Sequence, residues 1–467
     1  MSEQSTVKEP APDVLIIGAG LGGLMLGIAF ESAGISYHIL ERATELRSLG
    51  SAISISGNIL PAFEQLGIYE ELKKVSLPHV ALDFYDAKVN KLGSFEAKGH
   101  NKACGVDIVI TARPILYELL RRRVPAHKIS LGKKVLRTKE KVDGKDNITV
   151  YCSDNTEYEC SIVVGADGAY SAVRQNMYRQ LEAIGKLPLS DKETFSISYI
   201  TMVGVSKPPN PEKYPELNDS RCHFRVTVGD KNESSYTVTT PDNQICWGVQ
   251  VQVPESNAKE LQFRNSEWGP EAIESMLKDF EDFPCPYGGT MKDIFDATPK
   301  DLISKVFLEE KVFETWYHGR SVLIGDACHK MLPGAGQGAG MAMRDAIVLA
   351  NCIYNMKDYS TESVNTAFAS YYRQRYIEAN IQFKNSANLA KIMFGQKWSE
   401  RTLRYVMLNY TPYWLMQKKQ NNDYAFRPQL NWLPLVEKRG IGNVIPYEGR
   451  EEAAAKREAA AKRATAI

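Results

Sequence analysis

The sequence predicts an α/β protein in which a parallel-sheet domain is interleaved with an antiparallel-sheet domain and followed by C-terminal helices. A βαβ pattern opens the chain, the middle of the chain alternates apolar and polar residues, and the region after residue 358 has mostly helical patterns. Short apolar runs bounded by glycine are typical of buried parallel strands, whereas alternation is typical of half-buried antiparallel strands.

The first βαβ unit is compact. Residues 13–17 are predicted to form a buried strand, residues 21–33 a helix of small and apolar residues, and residues 36–40 a second strand that ends at Glu41. Further along, residues 112–124 are predicted to form a helix with proline in its first turn, where proline is tolerated.

Later segments alternate between the two kinds of sheet. Residues 129–164 are predicted to be β-rich and to end in a buried strand, and residues 195–255 to form antiparallel strands with turns rich in proline and asparagine. An amphipathic helix is expected over 270–283, another buried strand over 321–324 and a long helix over 339–357.

A glycine-rich motif separates the first strand from the first helix. Gly18, Gly20 and Gly23 satisfy the spacing G-x-G-x-x-G, and Glu41 lies eighteen residues after the third glycine. The glycines permit a tight turn, close approach of a pyrophosphate and close helix packing, while the carboxylate can accept hydrogen bonds from ribose hydroxyls. The motif therefore predicts a Rossmann-like dinucleotide-binding domain, although it does not distinguish FAD from NAD.

Composition excludes several classes of function. The net charge of +1 gives no reason to expect a nucleic-acid partner. The eight cysteines form no CxxC pair, so we expect reduced thiols and no metal site. Residues 1–12 are polar and lack the pattern of a signal peptide, which predicts a cytoplasmic protein.

Two further motifs each follow an apolar strand. A Gly-Ala-Asp-Gly segment occupies 165–168, and a Gly-Asp pair occupies 325–326. In this order and at these distances, the three motifs resemble those of FAD-dependent monooxygenases of the para-hydroxybenzoate hydroxylase, or aromatic hydroxylase, type. The region 325–345 is similar to fungal FAD-dependent monooxygenases that act on meroterpenoid and indole-diterpene precursors. The resemblance covers residues 13 to about 357.

The resemblance implies which residues bind FAD. Asp326 would contact the ribityl hydroxyls, Arg113 the phosphate and ribose, and Asp167 would serve both FAD and NAD(P)H, while Ser54 falls where the family loop passes the cofactor. The loop over 333–339 opens a helix whose amides would face the isoalloxazine. The expected cofactor-binding residues are Gly18, Gly20, Gly23, Glu41, Arg42, Ser54, Arg113, Asp167, Asp326, Pro333, Gly336, Gly338 and Ala339.

Structural roles remain as alternatives for several of these residues. Arg113 could be a surface arginine, Ser54 an ordinary loop residue and Asp326 a helix cap. His329, next to the Gly-Asp pair, is interpreted as a hydrogen-bonded polar residue near the cofactor, and Cys328 as a packing residue.

The resemblance also implies the reaction. NADPH or NADH would reduce FAD, O2 would add at flavin C4a to give a hydroperoxide, and one oxygen would hydroxylate or epoxidise a small lipophilic aromatic or prenylated substrate. The antiparallel domain would form the substrate pocket, with candidates on its alternating strands: Tyr199, His223, Arg225, Tyr236 and Trp247. Tyr236 is the first choice as a catalytic residue, because similar fungal enzymes have a tyrosine on a comparable strand. An ordinary sheet-face aromatic is the alternative.

These inferences divide the chain into domains. The expected divisions are a disordered N-terminus over 1–12, a discontinuous FAD-binding domain over 13–180 and 300–357, a β-rich substrate domain over 181–299, a C-terminal helical region over 358–445 and a charged tail over 446–467 with EAAAK-type repeats.

Other functions and locations stay open at this point. A flavin-dependent reductase, a halogenase on the same fold and a non-catalytic flavin-binding module are the alternatives, although the W-x-W-x-I-P signature of such halogenases is missing from the sequence. The apolar, aromatic and basic segment 405–419 could make peripheral membrane contact, or could be a helix packed on the FAD domain.

Overall fold

The computed structural model describes residues 11–46, 49–140, 147–253, 270–333, 336–395 and 397–448. Most of the predicted N-terminal segment 1–12 and most of the charged tail 446–467 lie outside these residues. The eight cysteines are all within the described ranges, and each is buried and free.

The strands are numbered in chain order. They are β1 (Val14–Ile17), β2 (Tyr37–Leu40), β3 (Ala52–Ile55), β4 (Leu77–Tyr85), β5 (Lys91–Glu96), β6 (Ile108–Ala112), β7 (Ile129–Ser130), β8 (Val135–Glu140), β9 (Ile148–Cys152), β10 (Glu157–Cys160), β11 (Ile162–Gly165), β12 (Ser196–Ser206), β13 (Cys222–Val228), β14 (Glu233–Thr240), β15 (Gln244–Gln252), β16 (Ser304–Val312), β17 (Tyr317–His318), β18 (Ser321–Leu323) and β19 (His329–Lys330).

The described α-helices are numbered in the same way. They are α1 (Leu21–Ala33), α2 (Leu60–Gln65), α3 (Tyr69–Lys74), α4 (Lys98–Cys104), α5 (Arg113–Arg121), α6 (Ala172–Ala183), α7 (Leu189–Lys192), α8 (Pro270–Phe280), α9 (Met291–Asp296), α10 (Gly338–Tyr354), α11 (Thr361–Phe394), α12 (Trp398–Tyr410) and α13 (Tyr413–Asp423).

The first sheet is the predicted Rossmann-like layer. Its six strands follow the order β17-β18-β11-β1-β2-β7, and β1 pairs in parallel with both β2 and β11. All residues of β1 and β11 are buried, as expected for strands covered on both faces. Helix α1 packs against α10. The predicted βαβ unit is confirmed.

The second sheet has ten strands and is mostly antiparallel. The order is β19-β16-β12-β15-β14-β13-β4-β6-β3, with β5 paired to β4. Strands β3 to β6 come from the range assigned by sequence to the FAD domain, because pairing between distant strands leaves no trace in local periodicity. The sheet therefore extends beyond the range 181–299, and the exact domain boundaries stay a proposal.

The large sheet is covered on both faces. Helices α8 and α9 pack on one face through a cluster that includes Met202, Trp247 and Val249. The C-terminal end of α11 and part of α12 cover the other face. Helix α12 also contacts β5, and α13 contacts α4. Within the described part of the chain, no helix combines the length and apolar composition needed to cross a bilayer.

Candidate functional site

The glycine-rich turn after β1 has the close backbone contacts and the open space that its sequence motif predicts. Gly18 has φ of +106°, and a Cβ there would lie 2.4 Å from the carbonyl oxygen of Ala166. A Cβ on Gly23 would lie 2.1 Å from the carbonyl oxygen of Gly18. A Cβ on Gly20 would meet no protein atom within 4 Å, and Gly20 is the N-cap of α1, so no side chain caps this helix. The turn therefore leaves open space in front of the uncapped helix N-terminus, as a bound phosphate requires.

Glu41 lies beside the same turn, at the end of β2. Its carboxylate accepts hydrogen bonds from the backbone N–H groups of Ala19 at 2.8 Å and Ala43 at 2.9 Å. Its position at the strand end is the expected one, while its contact with a ribose stays a prediction. Arg42, also predicted to bind the cofactor, is exposed and does not line the cavity described below.

The Asp-Gly and Gly-Asp motifs are joined by one buried arginine. Arg174 donates to the carbonyl of Ala327 at 2.7 Å and to that of Ala169 at 2.5 Å. Asp167 Oδ2 accepts hydrogen bonds from the backbone N–H groups of Ala172 at 2.6 Å and Val173 at 3.3 Å, in the first turn of α6. The neighbours of Asp167 line the cavity, but Asp167 itself does not. Its observed contacts are therefore structural, and its role towards FAD and NAD(P)H stays a prediction.

A cavity of about 650 Å³ connects the glycine-rich turn with the large sheet. Eight of the predicted cofactor residues line it, from four separate stretches of the chain: Gly20, Ser54, Arg113, Asp326, Pro333, Gly336, Gly338 and Ala339. Its volume falls within the range of small-molecule sites.

Two cofactor residues on the cavity wall, Arg113 and Asp326, carry opposite charges. Arg113 is partly buried, and its guanidinium donates to the carbonyl of Leu49. Burial lowers the pKa of Arg113, and the nearby carboxylate of Asp326 counters that shift. Asp326 is 43% exposed and pairs with Lys330 at 3.4 Å, which leaves the carboxylate accessible from the cavity. The wall therefore offers both a cation and a carboxylate.

The loop before α10 also lines the cavity. Gly336 has φ of +61°, and its carbonyl accepts a hydrogen bond of 3.5 Å from Ser54 Oγ. Gly338, the first residue of α10, would place a Cβ in open space. Residues 334–335 lie outside the described ranges. The N-terminus of α10 thus faces the cavity, where its dipole favours negative charge.

A buried charge network supports the Gly-Asp turn from behind. Asp345 accepts hydrogen bonds from the backbone N–H of Gly325 at 2.9 Å, from His329 Nε2 at 2.6 Å and from Arg375 Nε at 2.7 Å. Burial would raise the pKa of Asp345, but its partners His329 and Arg375 lower it to about 2. His329 is 1% exposed and faces this network, in agreement with the interpretation that it is hydrogen-bonded rather than a base.

Cys328 lies next to this network. Its thiol donates to the carbonyls of Gly325 at 3.4 Å and Leu323 at 3.6 Å. Burial raises its pKa well above the ordinary value, so Cys328 packs as a neutral thiol, as predicted.

Tyr236 is the one predicted pocket residue whose side chain lines the cavity. It lies on β14 opposite Gly248, where a Cβ would come within 2.3 Å of the Tyr236 ring. Its ring centroid is 5.9 Å from that of Phe224. Burial raises the pKa of Tyr236 to about 12, with the Ser51 hydroxyl opposing the shift. Tyr236 is therefore a neutral phenol on the cavity wall.

The prediction that the other four residues line the pocket is wrong. His223, Arg225 and Trp247 point to the opposite face of the sheet, where they contact Asp219, Glu216 and Thr298 respectively. Tyr199 packs on the Phe394 ring, with centroids 5.8 Å apart. Alternation showed that these residues lie on strands, but it did not show which face of each strand meets the cavity.

Most residues of the cavity wall at its substrate end were not predicted from the sequence. Phe224 and Gln250 share the face of Tyr236, and the period of two along paired strands could have found them once Tyr236 was chosen. His79 on β4 and the residues of α11 to α13 carry no local signal, because only the tertiary fold brings them to the cavity. The additional wall residues from these helices, and from the residue that follows the last of them, include Leu389, Met393, Phe394, Met407, Met416 and Tyr424.

Comparison with known proteins agrees with this geometry. The FAD binding domain family matches residues 11–199 and 291–379. The FAD-dependent monooxygenase ptmM of Penicillium ochrochloron is 30% identical over 391 residues, which cover 81% of this chain and 88% of that protein. The FAD-dependent monooxygenase esdpE of Penicillium shearii is 29% identical over 413 residues, covering 85% and 81%.

Solved structures share the fold. HpxO of Klebsiella pneumoniae, complexed with FAD and uric acid, has a TM-score of 0.70 at 18% identity, and the match covers 88% of this chain and 96% of that one. The 2,6-dihydroxypyridine-3-hydroxylase from Arthrobacter nicotinovorans has a TM-score of 0.62 at 19% identity, covering 83% and 94%.

The three motifs, the cavity that they surround and the relatives that match most of the chain point to one family. The resemblance found in the sequence is confirmed, and so is FAD as the cofactor that the fold binds. The chain belongs to the FAD-dependent monooxygenases, oxidoreductases that incorporate oxygen into their substrates.

Proposed function

We propose that this monooxygenase uses NADPH or NADH and O2 to hydroxylate or epoxidise a small lipophilic aromatic or prenylated compound. The observation that carries the proposal is the continuity of the cavity, which runs from the glycine-rich turn to an apolar wall formed by the large sheet and the C-terminal helices. One end of such a cavity suits a dinucleotide, and the other end suits an apolar substrate.

The residues present fit FAD at the first end. Gly20 and Gly338 leave open space at two helix N-termini, which suits the pyrophosphate and the isoalloxazine respectively. Asp326 offers an accessible carboxylate for the ribityl hydroxyls, and Arg113 a cation for the phosphates. When bound, FAD would supply the redox chemistry and the activation of O2. The route of oxygen transfer stays a prediction.

The second end supports a largely apolar substrate with hydrogen-bonding groups. Phe224 lies between His79 and Tyr236, with 5.9 Å between ring centroids on each side. Two buried polar atoms on this wall, His79 Nδ1 and Gln250 Oε1, have no hydrogen-bond partner in the described protein. Burial lowers the pKa of His79 to about 4, so the imidazole is neutral near pH 7. A ring system over Phe224 and Tyr236 with a hydroxyl group would satisfy both atoms, because a hydroxyl can donate to Gln250 Oε1 and can either donate to or accept from His79 Nδ1.

The protein's own part in the reaction follows from these contacts. The sheet and α11 would hold the substrate against the cofactor, and the methionine and phenylalanine side chains from α11 to α13 would exclude water. Tyr236 would contact the substrate through its ring and its phenol.

An oxygen-electrode assay tests the function. FAD-loaded protein is given NADPH or NADH with a panel of lipophilic phenols, indoles and prenylated compounds, and the products are analysed by mass spectrometry under ¹⁸O2. We expect at least one compound to stimulate oxygen uptake and to gain one labelled oxygen. Oxidation of NADPH without oxygen uptake would indicate a reductase instead. The absence of turnover with every compound would favour a flavin-binding module.

We expect Tyr236→Ala to lower kcat/KM for such a compound about tenfold or more without lowering FAD content. The substitution removes a wall residue of the substrate end while leaving the glycine-rich turn untouched. His223→Ala, on the opposite face of the same sheet, is the matched control and should change kcat/KM less than about twofold. Equal effects of both variants would contradict the assignment of Tyr236 to the pocket.

A further inference from the structure

Helices α12 and α13 carry eight exposed aromatic and apolar residues, which we together call the aromatic surface. Trp398 is 81% exposed, Tyr410 66% and Trp414 65%. Its other exposed members are Leu403, Tyr405, Val406, Tyr413 and Leu415. So many large side chains in one exposed segment of 18 residues are unusual, and apolar patches of this kind mark interaction sites.

The exposure does not come from loosely attached helices. Arg404 is buried and donates to the carbonyls of Ile392 and Gly395, both at 3.0 Å. Asn409 donates to the carbonyl of Leu92 at 3.2 Å, and Gln420 to that of Glu96 at 3.2 Å. The helices are therefore fixed on α11, β5 and the start of α4, and they present the aromatic surface away from the protein.

The inner faces of the same two helices belong to the cavity. Met407 of α12 and Met416 of α13 line it, together with Tyr424 just after α13. Only the thickness of one helical layer separates the aromatic surface from the substrate end of the cavity.

The charge of this segment narrows the choice of partner. Leaving aside the buried Arg404, there are four basic and two acidic residues from Lys397 to Asp423, which gives a net charge of +2 within a chain whose total is +1. Tryptophan and tyrosine with flanking lysine and arginine are typical of surfaces that lie at the lipid headgroup level. A second copy of the chain would bring the same positive charge to the interface, so self-association through this face is disfavoured.

We propose that the aromatic surface docks the protein on an anionic lipid bilayer. Tryptophan and tyrosine side chains would enter the headgroup region, and the exposed basic residues Lys397, Arg401, Lys418 and Lys419 would contact anionic headgroups. If the proposed function is correct, the cavity behind the surface would receive lipophilic substrate from the bilayer. The docking itself does not depend on turnover.

A flotation assay with vesicles tests the proposal. FAD-loaded protein is mixed with vesicles of phosphatidylcholine, or of phosphatidylcholine with phosphatidylserine, and lipid-bound protein is measured at low and high salt. We expect binding to the anionic vesicles, weaker binding at high salt, and a loss of about tenfold or more in the Tyr413→Ser, Trp414→Ser double variant.

A matched control keeps the result specific. Ile184 and Leu189 are 57% and 81% exposed outside the aromatic surface. The Ile184→Ser, Leu189→Ser double variant should float with anionic vesicles as the unaltered protein does. FAD absorbance and thermal unfolding of both variants report whether they remain folded.

Three outcomes would overturn the proposal. The unaltered protein could fail to float with anionic vesicles, or both double variants could bind equally well. Alternatively, light scattering could show a dimer that the Tyr413→Ser, Trp414→Ser variant loses while no vesicle binds, which would make the face an interface between copies. Failure of the oxygen assay would leave all of these measurements interpretable, because none of them uses a substrate.

Discussion

Gly20→Ala is expected to give a folded protein that no longer retains FAD. The Cβ would meet no protein atom within 4 Å, and the backbone of Gly20, with φ of −72°, suits alanine. The methyl group would instead occupy the open space where the pyrophosphate must approach the amides of α1. We expect FAD affinity to fall roughly 100-fold or more, which corresponds to about 3 kcal/mol. Flavin fluorescence titration measures it.

Comparison with Gly23→Ala distinguishes loss of the cofactor from loss of the fold. Its Cβ would lie 2.1 Å from the carbonyl oxygen of Gly18, so this variant should lose both thermal stability and FAD. Gly20→Ala, in contrast, should keep the melting temperature of the FAD-free protein within a few degrees. If Gly20→Ala bound FAD with unchanged affinity, the assignment of this turn to the pyrophosphate would be wrong.

Asp345→Ala is expected to cause the largest loss of stability, about 3–5 kcal/mol in the free energy of unfolding. Asp345 and Arg375 are both fully buried, and the substitution would leave Arg375, His329 and the backbone N–H of Gly325 without their shared acceptor. Urea unfolding of the FAD-free protein measures the difference.

The same carboxylate gives this loss a pH dependence. Its pKa in the folded protein is about 2, below the ordinary 3.8, so its contribution is present above about pH 4 and is lost as the pH falls through 2. The difference in the free energy of unfolding between the unaltered protein and Asp345→Ala should therefore shrink in that window.

Asp326→Ala is the matched control, because this carboxylate is 43% exposed and its removal should weaken FAD binding with little change in stability. Equal loss of stability in both variants would contradict the network.

The local elements of the nucleotide-binding layer were predictable because their signals lie close together in the chain. The helix predicted over 21–33 is present as Leu21–Ala33, and the flanking strands agree within one residue. A strand, a glycine-rich turn and a helix N-terminus are dictated by neighbouring residues, so the places of Gly18, Gly20 and Gly23 in this turn could be predicted from spacing alone.

The substrate end was predictable only in part. The strands over 195–255 are present, but three of the five side chains chosen as pocket residues lie on the sheet face away from the cavity. Alternation shows that every second residue shares a face, but it does not show which face meets the cavity. The segment 405–419 was recognised as apolar and aromatic, but its attachment to β5 and α4 and its contribution to the cavity were not foreseen.

The sequence by itself determined the family and the cofactor, through the resemblance of its three motifs to a known family, and it determined the glycine-rich turn, because glycine spacing and strand ends are local properties. Only the tertiary structure decided that β3 to β6 join the large sheet, that Asp345 holds the Gly-Asp turn and that His79, Gln250 and the C-terminal helices surround one cavity. These features depend on contacts between residues far apart in the chain, where burial and pairing are set by the whole fold rather than by neighbouring residues.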